Sequence, residues 1–396
     1  MKTFNELSLS PILKSNLVKN SYVEPTPVQS QAIPPALAGH DVVATAQTGT
    51  GKTLAFVLPI LESLLKNKPG TGISAVVLSP TRELALQIGE AFALMAAGTG
   101  IRAAVVVGGM SEHQQLLAIR RAVNLGAVRI LVLDEADRML NMGFLPAIKR
   151  IIGAMPTERQ TLFFSATIET SVAHLVQKYV KSPVRVTVGS TTKPAEHIDL
   201  HVYEVDQDRK FGLLQHMLEQ ETGSFLVFAR TKHGADRLAR KLIRGGVNAT
   251  TIHGDRSQSQ RNHALHGFQQ GDYRVLVATD VAARGIHVEG IAHVVNYDLP
   301  QAPEDFIHRV GRTGRAGLRG TATTFGAPSE RGEIRKIERA LNIQLIRRAP
   351  SAAIKREDKH EKHVAPLIVI PKAQPGGSYT KFRSKGERRR VYVARG

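Results

Sequence analysis

The sequence predicts an α/β protein with two tandem parallel-sheet domains, a short linker and a basic C-terminal tail. Short apolar strands alternate with amphipathic helices up to residue 188, and the same alternation restarts at residue 201. Between the two series, residues 189–196 are polar and lack apolar periodicity, which is typical of a linker. We therefore expect a first domain over 1–189, a linker over 190–197, a second domain over 198–346 and a disordered tail over 347–396.

Apolar runs bounded by glycine, proline and polar residues mark the strands, and amphipathic stretches between them mark the helices. In the first domain we predict strands over 41–46, 75–79, 103–107, 130–133, 160–164 and 184–188, with helices over 54–65 and 112–122. In the second domain we predict strands over 201–205, 225–229, 249–253, 274–279, 293–296 and 321–325, with helices over 232–244 and 258–269. The two halves share an architecture but show no common sequence period.

Composition narrows the class of protein. The chain has 396 residues, of which 42% are hydrophobic and 22% charged, as in soluble globular proteins. We find no apolar run long enough to span a bilayer, and the first ten residues do not resemble a signal peptide. The sequence has no cysteine, which excludes disulfides and thiolate metal sites and is typical of a cytoplasmic protein.

The charge balance indicates a polyanionic partner. The formal net charge is +19, which favours nucleic acid as the partner class. Residues 347–396 hold 14 Lys+Arg and 4 Asp+Glu, a net of +10, whereas the remaining 346 residues hold 39 and 30, a net of +9. Because Tyr379, Phe382 and Tyr392 lie among these charges, we expect a flexible arm that contacts phosphates and stacks on bases. A tail that only aids solubility is the alternative.

Residues 130–140, which read ILVLDEADRML, place two adjacent carboxylates at the end of an apolar run. Such a run suits a strand buried on both faces of a parallel sheet, and the carboxyl end of that strand is where open α/β sheets bind ligands. Asp134 and Glu135 repel each other, so a positive group such as the magnesium of a nucleotide should lie beside them. Considered alone, this stretch fits an exposed acidic turn equally well.

A phosphate-binding loop is predicted between the first strand and the helix that follows it. Gln47–Thr53 reads QTGTGKT, and its two glycines allow the tight curvature that such a loop needs. In this arrangement backbone N–H groups face the phosphates, Lys52 reaches the β and γ oxygens, and the hydroxyl of Thr53 faces magnesium. The strict pattern has glycine at the position of Ala46.

Two segments of the first domain carry weaker signals. Gln29 follows two prolines, and its amide can donate and accept at once, as reading an adenine edge requires. A proline turn before a helix explains the same residues. Thr81 and Arg82 open a helix, where they can hold a backbone phosphate, and an exposed pair of Arg82 with Glu83 is the alternative.

Two hydroxyl groups at the end of a strand, and two guanidinium groups beside a helix, are further candidates for ligand contact. Ser165 and Thr167 can relay hydrogen bonds between sites, or they can simply cap the next helix. Arg312 and Arg315 lie three residues apart in the second domain. Guanidinium groups brought to a γ-phosphate from a second domain are arginine fingers, which raise the rate by ~10³–10⁵. A solvated helix face is the alternative for this pair.

The segments AQTGTGKT, PTRELA, GG, DEAD, SAT, LVFART, ATDVAARGI and HRVGRTGR, in this order, resemble the motifs of the DEAD-box ATP-dependent RNA helicases of superfamily 2. PTPVQ resembles the glutamine motif of the same family. The resemblance covers about Phe4 to Leu341 and implies two RecA-like domains that close over ATP and RNA together. The expected enzyme is an RNA-dependent ATPase that uses ATP and Mg²⁺ to unwind or remodel short RNA duplexes and RNA–protein complexes.

The resemblance also implies roles for individual residues. Asp134 would bind magnesium, commonly through water, and Glu135 would orient and deprotonate the attacking water. The other expected catalytic residues are Lys52, Arg312 and Arg315. The expected nucleotide-binding residues are Phe4, Tyr22, Gln29, Ala46, Gln47, Thr48, Gly49, Thr50, Gly51, Lys52 and Thr53, of which Thr53 also faces the metal. The expected coupling residues are Ser165, Thr167 and Asp280.

RNA is the implied partner. Backbone contacts are expected at Thr81, Arg82, Gly109, Arg230, Thr231, Gly254 and Thr279. Contacts to phosphate and 2′-hydroxyl groups imply little sequence preference and a preference for RNA over DNA. Ribonucleoprotein, ribosome-assembly or RNA-decay partners are expected, with no membrane and a monomeric chain.

Two departures from the family pattern affect the expected activity. The family usually has a strand with a Thr-Pro-Gly-Arg motif before DEAD, but here Gly109 and Asp134 are only 25 positions apart and no such motif occurs. Compared with the family pattern, about twenty or more residues are lacking, enough for a strand and most of a crossover. We therefore expect the loss of an RNA-gripping turn and of a central strand of the first sheet. His287 stands where the family has aspartate, near the ribose and the arginine fingers. Both departures bear on unwinding more than on ATP binding.

Three other functions compete with the helicase hypothesis. The first is an ATP-gated or merely basic RNA-binding clamp with impaired unwinding. A DNA translocase of the same two-domain class is the second, although DEAD and the glutamine motif accompany RNA. The third is a metal enzyme built on the pairs His263 with His266 or His360 with His363, which lack further ligands and fit ordinary surface histidines.

Overall fold

Two parallel β-sheets, each covered by helices, form the N-terminal and C-terminal lobes of the protein. A computed structural model describes residues 2–47, 49–67, 72–109, 111–119, 125–168, 170–188, 197–280, 288, 290–314, 319–351, 354 and 356. We define the N-terminal lobe as residues 2–188 and the C-terminal lobe as residues 197–356. Within these ranges, helices of membrane-spanning length and apolarity do not occur.

The N-terminal lobe contains a five-stranded parallel sheet with the order β2-β3-β4-β1-β5. Its strands are β1 (Val42–Ala46), β2 (Ala75–Leu78), β3 (Ile130–Leu133), β4 (Gln160–Ser165) and β5 (Val184–Val188). Its helices are α1 (Pro11–Lys19), α2 (Pro27–Leu37), α3 (Lys52–Lys66), α4 (Arg82–Ala96), α5 (Glu112–Ile119), α6 (Ala136–Asn141), α7 (Leu145–Gly153) and α8 (Thr170–Tyr179).

The C-terminal lobe contains a seven-stranded parallel sheet with the order β12-β6-β11-β10-β7-β9-β8. Its strands are β6 (Ile198–Glu204), β7 (Phe225–Phe228), β8 (Ala249–Ile252), β9 (Val275–Ala278), β10 (His293–Asn296), β11 (Gly320–Gly326) and β12 (Ile346–Arg348). Its helices are α9 (Lys210–Gln220), α10 (Lys232–Arg244), α11 (Gln258–Gln270), α12 (Pro303–Val310) and α13 (Arg331–Leu341). The two tandem α/β lobes confirm the fold class predicted from the sequence.

The apolar run before DEAD is buried on both faces, as predicted. Ile130 and Val132 pack into the core on one side of the sheet, and Leu131 and Leu133 pack into the core on the other side. Alternate side chains of a strand point to opposite faces, so a strand covered on both sides must be apolar throughout. This burial fixes the position at which Asp134 leaves the sheet.

The shortened segment affects the edge of the first sheet rather than its centre. β3 pairs with β2 through Ala75 and Ile130 and with β4 through Ile130 and Gln160, so no gap adjoins the DEAD strand. The expected loss of a central strand is therefore wrong. β2 is the edge strand of the described sheet, and its four residues are only half-buried.

The strand predicted over 103–107 does not form. Residues 101–107 have no ladder pairing, and Val106 is 60% exposed, although the three consecutive valines of this segment favour a strand. A segment with high β propensity forms a strand only when a neighbouring strand pairs with it, and no described strand pairs with this segment.

The second sheet extends beyond the predicted domain boundary. Arg347 and Arg348, which the sequence assigned to the tail, pair with Val202 and Tyr203 in β12 and β6. Ile354 is buried in the same lobe. The linker residues 190–196 and the tail from residue 357 lie outside the described residues.

We expect Asp41 to stabilise the N-terminal lobe, because its buried carboxylate accepts the backbone N–H of Thr161 and of Lys181, each at 2.7 Å. Asp41→Asn places an amide N–H against one of these donors. The free energy of unfolding should fall by about 1–3 kcal/mol, measured by urea denaturation. Asp199→Asn, at an exposed position, is the matched control, and equal unfolding midpoints for the two variants would contradict the prediction.

Candidate functional site

The phosphate loop joins the end of β1 to the start of α3. Gly49 and Gly51 have φ values of +84° and +88°, which a residue with a side chain rarely adopts. The ammonium group of Lys52 is buried and donates to the carbonyl of Ala46 at 2.9 Å, across the base of the loop. The first N–H groups of α3 face the loop, as required for an anion site. Thr53 is the second residue of α3, and Thr48 lies outside the described residues.

Gln29 ties the proline-rich segment to the phosphate loop. Its Oε1 accepts the N–H of Thr26 at 2.9 Å, and its Nε2 donates to the carbonyl of Gly51 at 2.9 Å. A Cβ at Gly51 would lie 2.5 Å from this Nε2, so the close contact itself requires glycine. Phe4 is buried in the core of the lobe, whereas Tyr22 is exposed. The structure therefore brings Gln29, but not the Phe4 ring, to the surface of the loop.

The two adjacent carboxylates are buried at the carboxyl end of β3. Burial raises the pKa of Asp134 to about 7, and the charge of Lys52 opposes this rise. Burial acts in the same direction on Glu135, but the charges of Arg138, Lys52 and Arg312 outweigh it and lower the pKa of Glu135. Glu135 also has a left-handed backbone, with φ at +52°, a strained conformation that clusters at functional sites. The alternative interpretation of this stretch as an exposed acidic turn is therefore wrong.

Arg138 forms a buried ion pair with Glu135, at 2.7 Å between Nη1 and Oε2. The two residues are three apart, so the pair closes over the first turn of α6. Asp134, for its part, accepts the N–H of Glu135 at 3.1 Å. The sequence did not assign Arg138 a role, although its spacing from Glu135 is the signal that could have done so.

Asp137 links the DEAD segment to the Ser-Ala-Thr segment. Its Oδ2 accepts hydrogen bonds from the N–H of Ala166 at 3.0 Å, from the N–H of Thr167 at 2.9 Å and from the Thr167 hydroxyl at 3.1 Å. The Ser165 hydroxyl accepts the N–H of Asp137 at 3.3 Å. In the structure both hydroxyls contact Asp137, which sequence reasoning did not assign.

The C-terminal lobe contains a buried arginine, Arg309, with several hydrogen-bond partners. Arg309 donates to both carboxylate oxygens of Asp280, at 2.5 and 2.7 Å, and also to Asn296 at 3.2 Å and to the carbonyl of Asp298 at 2.7 Å. This bidentate pair fixes Asp280 at the end of β9. Sequence reasoning missed Arg309.

The charge of Arg312, in the C-terminal lobe, acts on Glu135 of the N-terminal lobe. Arg312 is buried, its Nε donates to the carbonyl of His308 at 3.1 Å, and its charge helps to lower the pKa of Glu135. Arg315 and His287 lie outside the described residues. Because Arg312 is buried, the alternative of a solvated helix face is wrong for this residue.

A buried ion pair joins the two lobes. Glu83 of α4 pairs with Arg261 of α11 at 2.8 Å, and it accepts a hydrogen bond from Gln258 at 2.9 Å. The exposed Arg82–Glu83 pair is wrong, because Glu83 is buried and its partners belong to the other lobe. Gln258 and Arg261 lie three apart on one helix face, a spacing that could have indicated a shared partner.

Apart from Gly109, which follows the unpaired residues 101–107, the expected RNA contacts lie at the carboxyl ends of strands or at helix starts in both lobes. Thr81 and Thr231 cap α4 and α10, accepting the N–H of the third residue of each helix at 3.2 and 3.0 Å. The backbone N–H of Arg230 donates to Asp298 at 2.9 Å, and its exposed guanidinium lies 3.4 Å from Glu330. The other positions, Gly254 and Thr279, follow β8 and β9.

A metal ion would need the nucleotide to complete its ligand set. Groups of three or more metal-binding side chains are absent from the part of the chain that the structure describes. Asp134 and Thr53 supply oxygen atoms, which suit Mg²⁺ when phosphate oxygens and water fill the remaining positions. The metal-enzyme hypothesis finds no support at His263, whose ring nitrogen lies 3.4 Å from the Tyr273 hydroxyl. His360 and His363 lie outside the described residues.

A phosphate loop facing buried carboxylates in a two-lobed α/β fold defines a P-loop nucleoside triphosphatase. The DEAD/DEAH box helicase family matches residues 26–175, and the helicase conserved C-terminal domain matches residues 209–317. The chain belongs to the DEAD-box ATP-dependent RNA helicase family and is an ATPase of that enzyme class.

Two curated relatives align with most of the chain. The DEAD-box ATP-dependent RNA helicase CshA of Geobacillus kaustophilus is 39% identical over 370 residues, which are 88% of this chain and 79% of that protein. The ATP-dependent RNA helicase CshA of Limosilactobacillus reuteri is 38% identical over 370 residues, 88% of this chain and 74% of that protein.

Solved structures of related proteins share the two-lobed fold. Dbp5 of S. cerevisiae, bound to RNA and ADP BeF3, superposes with a TM-score of 0.78 at 29% identity over 89% of this chain and 96% of that chain. Mss116p, bound to ssRNA and AMP-PNP, gives 0.80 at 27% identity over 89% of this chain and 81% of that chain. A DEAD box protein of Methanococcus jannaschii superposes with a TM-score of 0.55 at 35% identity, over 88% of this chain and 99% of that chain.

We expect the Glu83–Arg261 pair to stabilise the contact between the lobes. Arg261→Met leaves Glu83 buried without its cation, so kcat/KM for RNA in RNA-stimulated ATP hydrolysis should fall roughly tenfold or more. Arg237→Met, on the exposed face of α10, is the matched control. If both variants match the unmodified chain, the ion pair does not stabilise the productive arrangement.

Proposed function

We propose that the chain hydrolyses ATP to ADP and phosphate in response to RNA and uses this cycle to unwind or remodel short RNA duplexes and RNA–protein complexes. The observation that carries the proposal is the set of charges around Glu135, which combines Lys52 and Arg138 of one lobe with Arg312 of the other. Because these cations come from both lobes, the hydrolytic site is complete only when the two lobes are in contact.

Glu135 is suited to act on the attacking water. Its carboxylate is ionised because nearby cations offset the effect of burial, so it can accept a proton from water positioned beside the γ-phosphate. Lys52, now on the carbonyl of Ala46, would transfer its hydrogen bond to phosphate oxygen when ATP binds. Arg312 would offset the negative charge that develops on the phosphoryl group.

Asp134 and Thr53 are the residues that would hold Mg²⁺ together with the nucleotide. Held there, the ion would supply positive charge that offsets the negative charge developing on the phosphoryl group. Gln29 would read the adenine edge with the hydrogen-bonding capacity that its two backbone contacts leave unused.

The coupling between ATP and RNA would run through two connections. In the first, Asp137 of the DEAD segment forms hydrogen bonds with Ser165 and Thr167. In the second, Arg309 of α12 forms hydrogen bonds with Asp280. RNA bound at the carboxyl ends of the strands would favour the arrangement in which Glu83 meets Arg261.

RNA recognition would rely on the backbone. The expected contact residues place hydroxyl groups, main-chain amides and arginines along both lobes, and such groups recognise phosphate and 2′-hydroxyl without reading bases. We infer little sequence preference and action as a monomer in the cytoplasm. Ribonucleoprotein, ribosome-assembly or RNA-decay complexes would be the substrates.

An ATP-gated RNA clamp is the second candidate, and the shortened segment favours it. Residues 101–107 form no strand, and β2 is an open edge of the described sheet. Loss of the Thr-Pro-Gly-Arg turn removes one expected grip on RNA while the carboxylates and phosphate loop stay intact. A clamp would retain RNA with ATP but separate no duplex.

The hydrolysis proposal predicts the effect of Glu135→Gln. This change keeps the shape of the side chain and removes its basicity, so RNA-stimulated phosphate release should fall by about 10²–10⁴. Binding of RNA in the presence of AMP-PNP should persist. Glu90→Gln, on the exposed face of α4, is the control. No stimulation of the unmodified chain by RNA would contradict the enzyme proposal, and stimulation without duplex separation would favour the clamp.

The basic tail predicts a salt effect on RNA binding. Residues 358–396 hold 10 Lys+Arg and 3 Asp+Glu, and their removal leaves β12 and Ile354 in place. Deletion should weaken RNA binding, and the slope of log K against log salt should drop by about 0.7 for each phosphate that the tail neutralises in the full chain. Fluorescence anisotropy over a salt series measures the slope. An unchanged slope would mean that the tail binds no phosphates.

A further inference from the structure

We propose that Gln115 is a positioning residue that holds the Gly108–Gly109 turn in the shape required for contact with RNA. The inference rests on the proposed function, because it takes Gly109 as a contact to the RNA backbone. It adds to that function a residue on α5 that does not itself touch RNA.

Gln115 forms two hydrogen bonds with one main-chain residue. Its Oε1 accepts the N–H of Val107 at 2.6 Å, and its Nε2 donates to the carbonyl of Val107 at 2.9 Å. A residue of a neighbouring antiparallel strand would exchange the same two bonds with Val107. Glutamine can replace that strand because its planar amide carries an acceptor and a donor side by side.

The position of Val107 explains why such a substitute is needed. The preceding residues 101–107 have no ladder partner, and Val106 is 60% exposed, yet the Val107 side chain is buried. Main-chain polar groups beside a buried side chain need partners, since leaving them unpaired is costly. Gln115 supplies both partners and thereby fixes the last residue before the turn.

The turn that follows is packed against an arginine. Gly109 has a φ of +77°, and a Cβ there would overlap with Nη1 of Arg82. A Cβ at Gly108 would lie 3.1 Å from Nη2 of the same residue. The guanidinium of Arg82 and the turn therefore occupy a single arrangement. A shift of Val107 would move both expected RNA contacts, Gly109 and Arg82, together.

The sequence of α5 offers a matched pair of variants. Gln115→Glu keeps the acceptor for the Val107 N–H but replaces the donor with an oxygen that repels the Val107 carbonyl. Gln114→Glu introduces the same charge one residue away, at an exposed position whose side chain is not part of the contact. The comparison removes any general effect of added negative charge on RNA affinity.

The experiment is steady-state ATP hydrolysis by the full chain, titrated with single-stranded RNA and separately with ATP. For Gln115→Glu we expect the KM for RNA to rise roughly tenfold relative to Gln114→Glu, as for the loss of one hydrogen bond. The kcat at saturating RNA and the KM for ATP should stay within about twofold, because the carboxylates and phosphate loop are untouched. Gln115→Met, which removes both hydrogen bonds without adding charge, should raise the KM for RNA at least as much.

Two results would overturn the inference alone. One is an RNA KM for Gln115→Glu equal to that of Gln114→Glu. The other is a parallel change in kcat and in the KM for ATP, which would indicate a general structural defect. A lack of RNA stimulation in the unmodified chain would instead overturn the proposed function, and this inference with it.

Discussion

Burial of three carboxylates within four residues is the constraint on which the rest of the site depends. Asp134, Glu135 and Asp137 all leave the end of β3 in buried positions. An isolated buried carboxylate costs several kcal/mol, so each must meet cations, N–H donors or a proton. Lys52 and Arg138 approach the first two, and the Ser-Ala-Thr segment surrounds the third. The requirement for compensation thus assembles the phosphate loop, α6 and the coupling segment around one strand.

The same requirement connects the two lobes. Arg312 contributes positive charge to Glu135 from the second lobe, and Glu83 of the first lobe is buried against Arg261. In each case a buried charge of one lobe interacts with an opposite charge of the other, so separation of the lobes would weaken these interactions and expose the charges to water. Under the proposed function, a ligand that holds the lobes together would complete the hydrolytic site, and RNA would act on ATP hydrolysis without touching the nucleotide.

Local sequence was sufficient for the elements whose chemistry is local. The buried β3 run, the glycine loop before Lys52 and helix α10 follow from periodicity and spacing, and the structure has them at or near the predicted bounds. The Glu83–Arg261 pair, the Asp137 acceptor and the Arg309–Asp280 pair join residues far apart in the chain, so no local pattern identifies both partners of a pair. The strand predicted over 103–107 was wrong because a strand depends on a distant partner as well as on local propensity. The propensity of these residues is strong, but no described strand pairs with them.

The most direct test of the account is the distance between the lobes during the ATP cycle. The natural sequence lacks cysteine, so single cysteines at Lys66 and Lys336, which have side chains 59% and 70% exposed, allow specific labelling with a fluorescent donor and acceptor. We expect one energy-transfer efficiency for the free chain and a different, single efficiency only when AMP-PNP and RNA are both present. The same efficiency with and without the two ligands would contradict ligand-dependent assembly of the site from the two lobes.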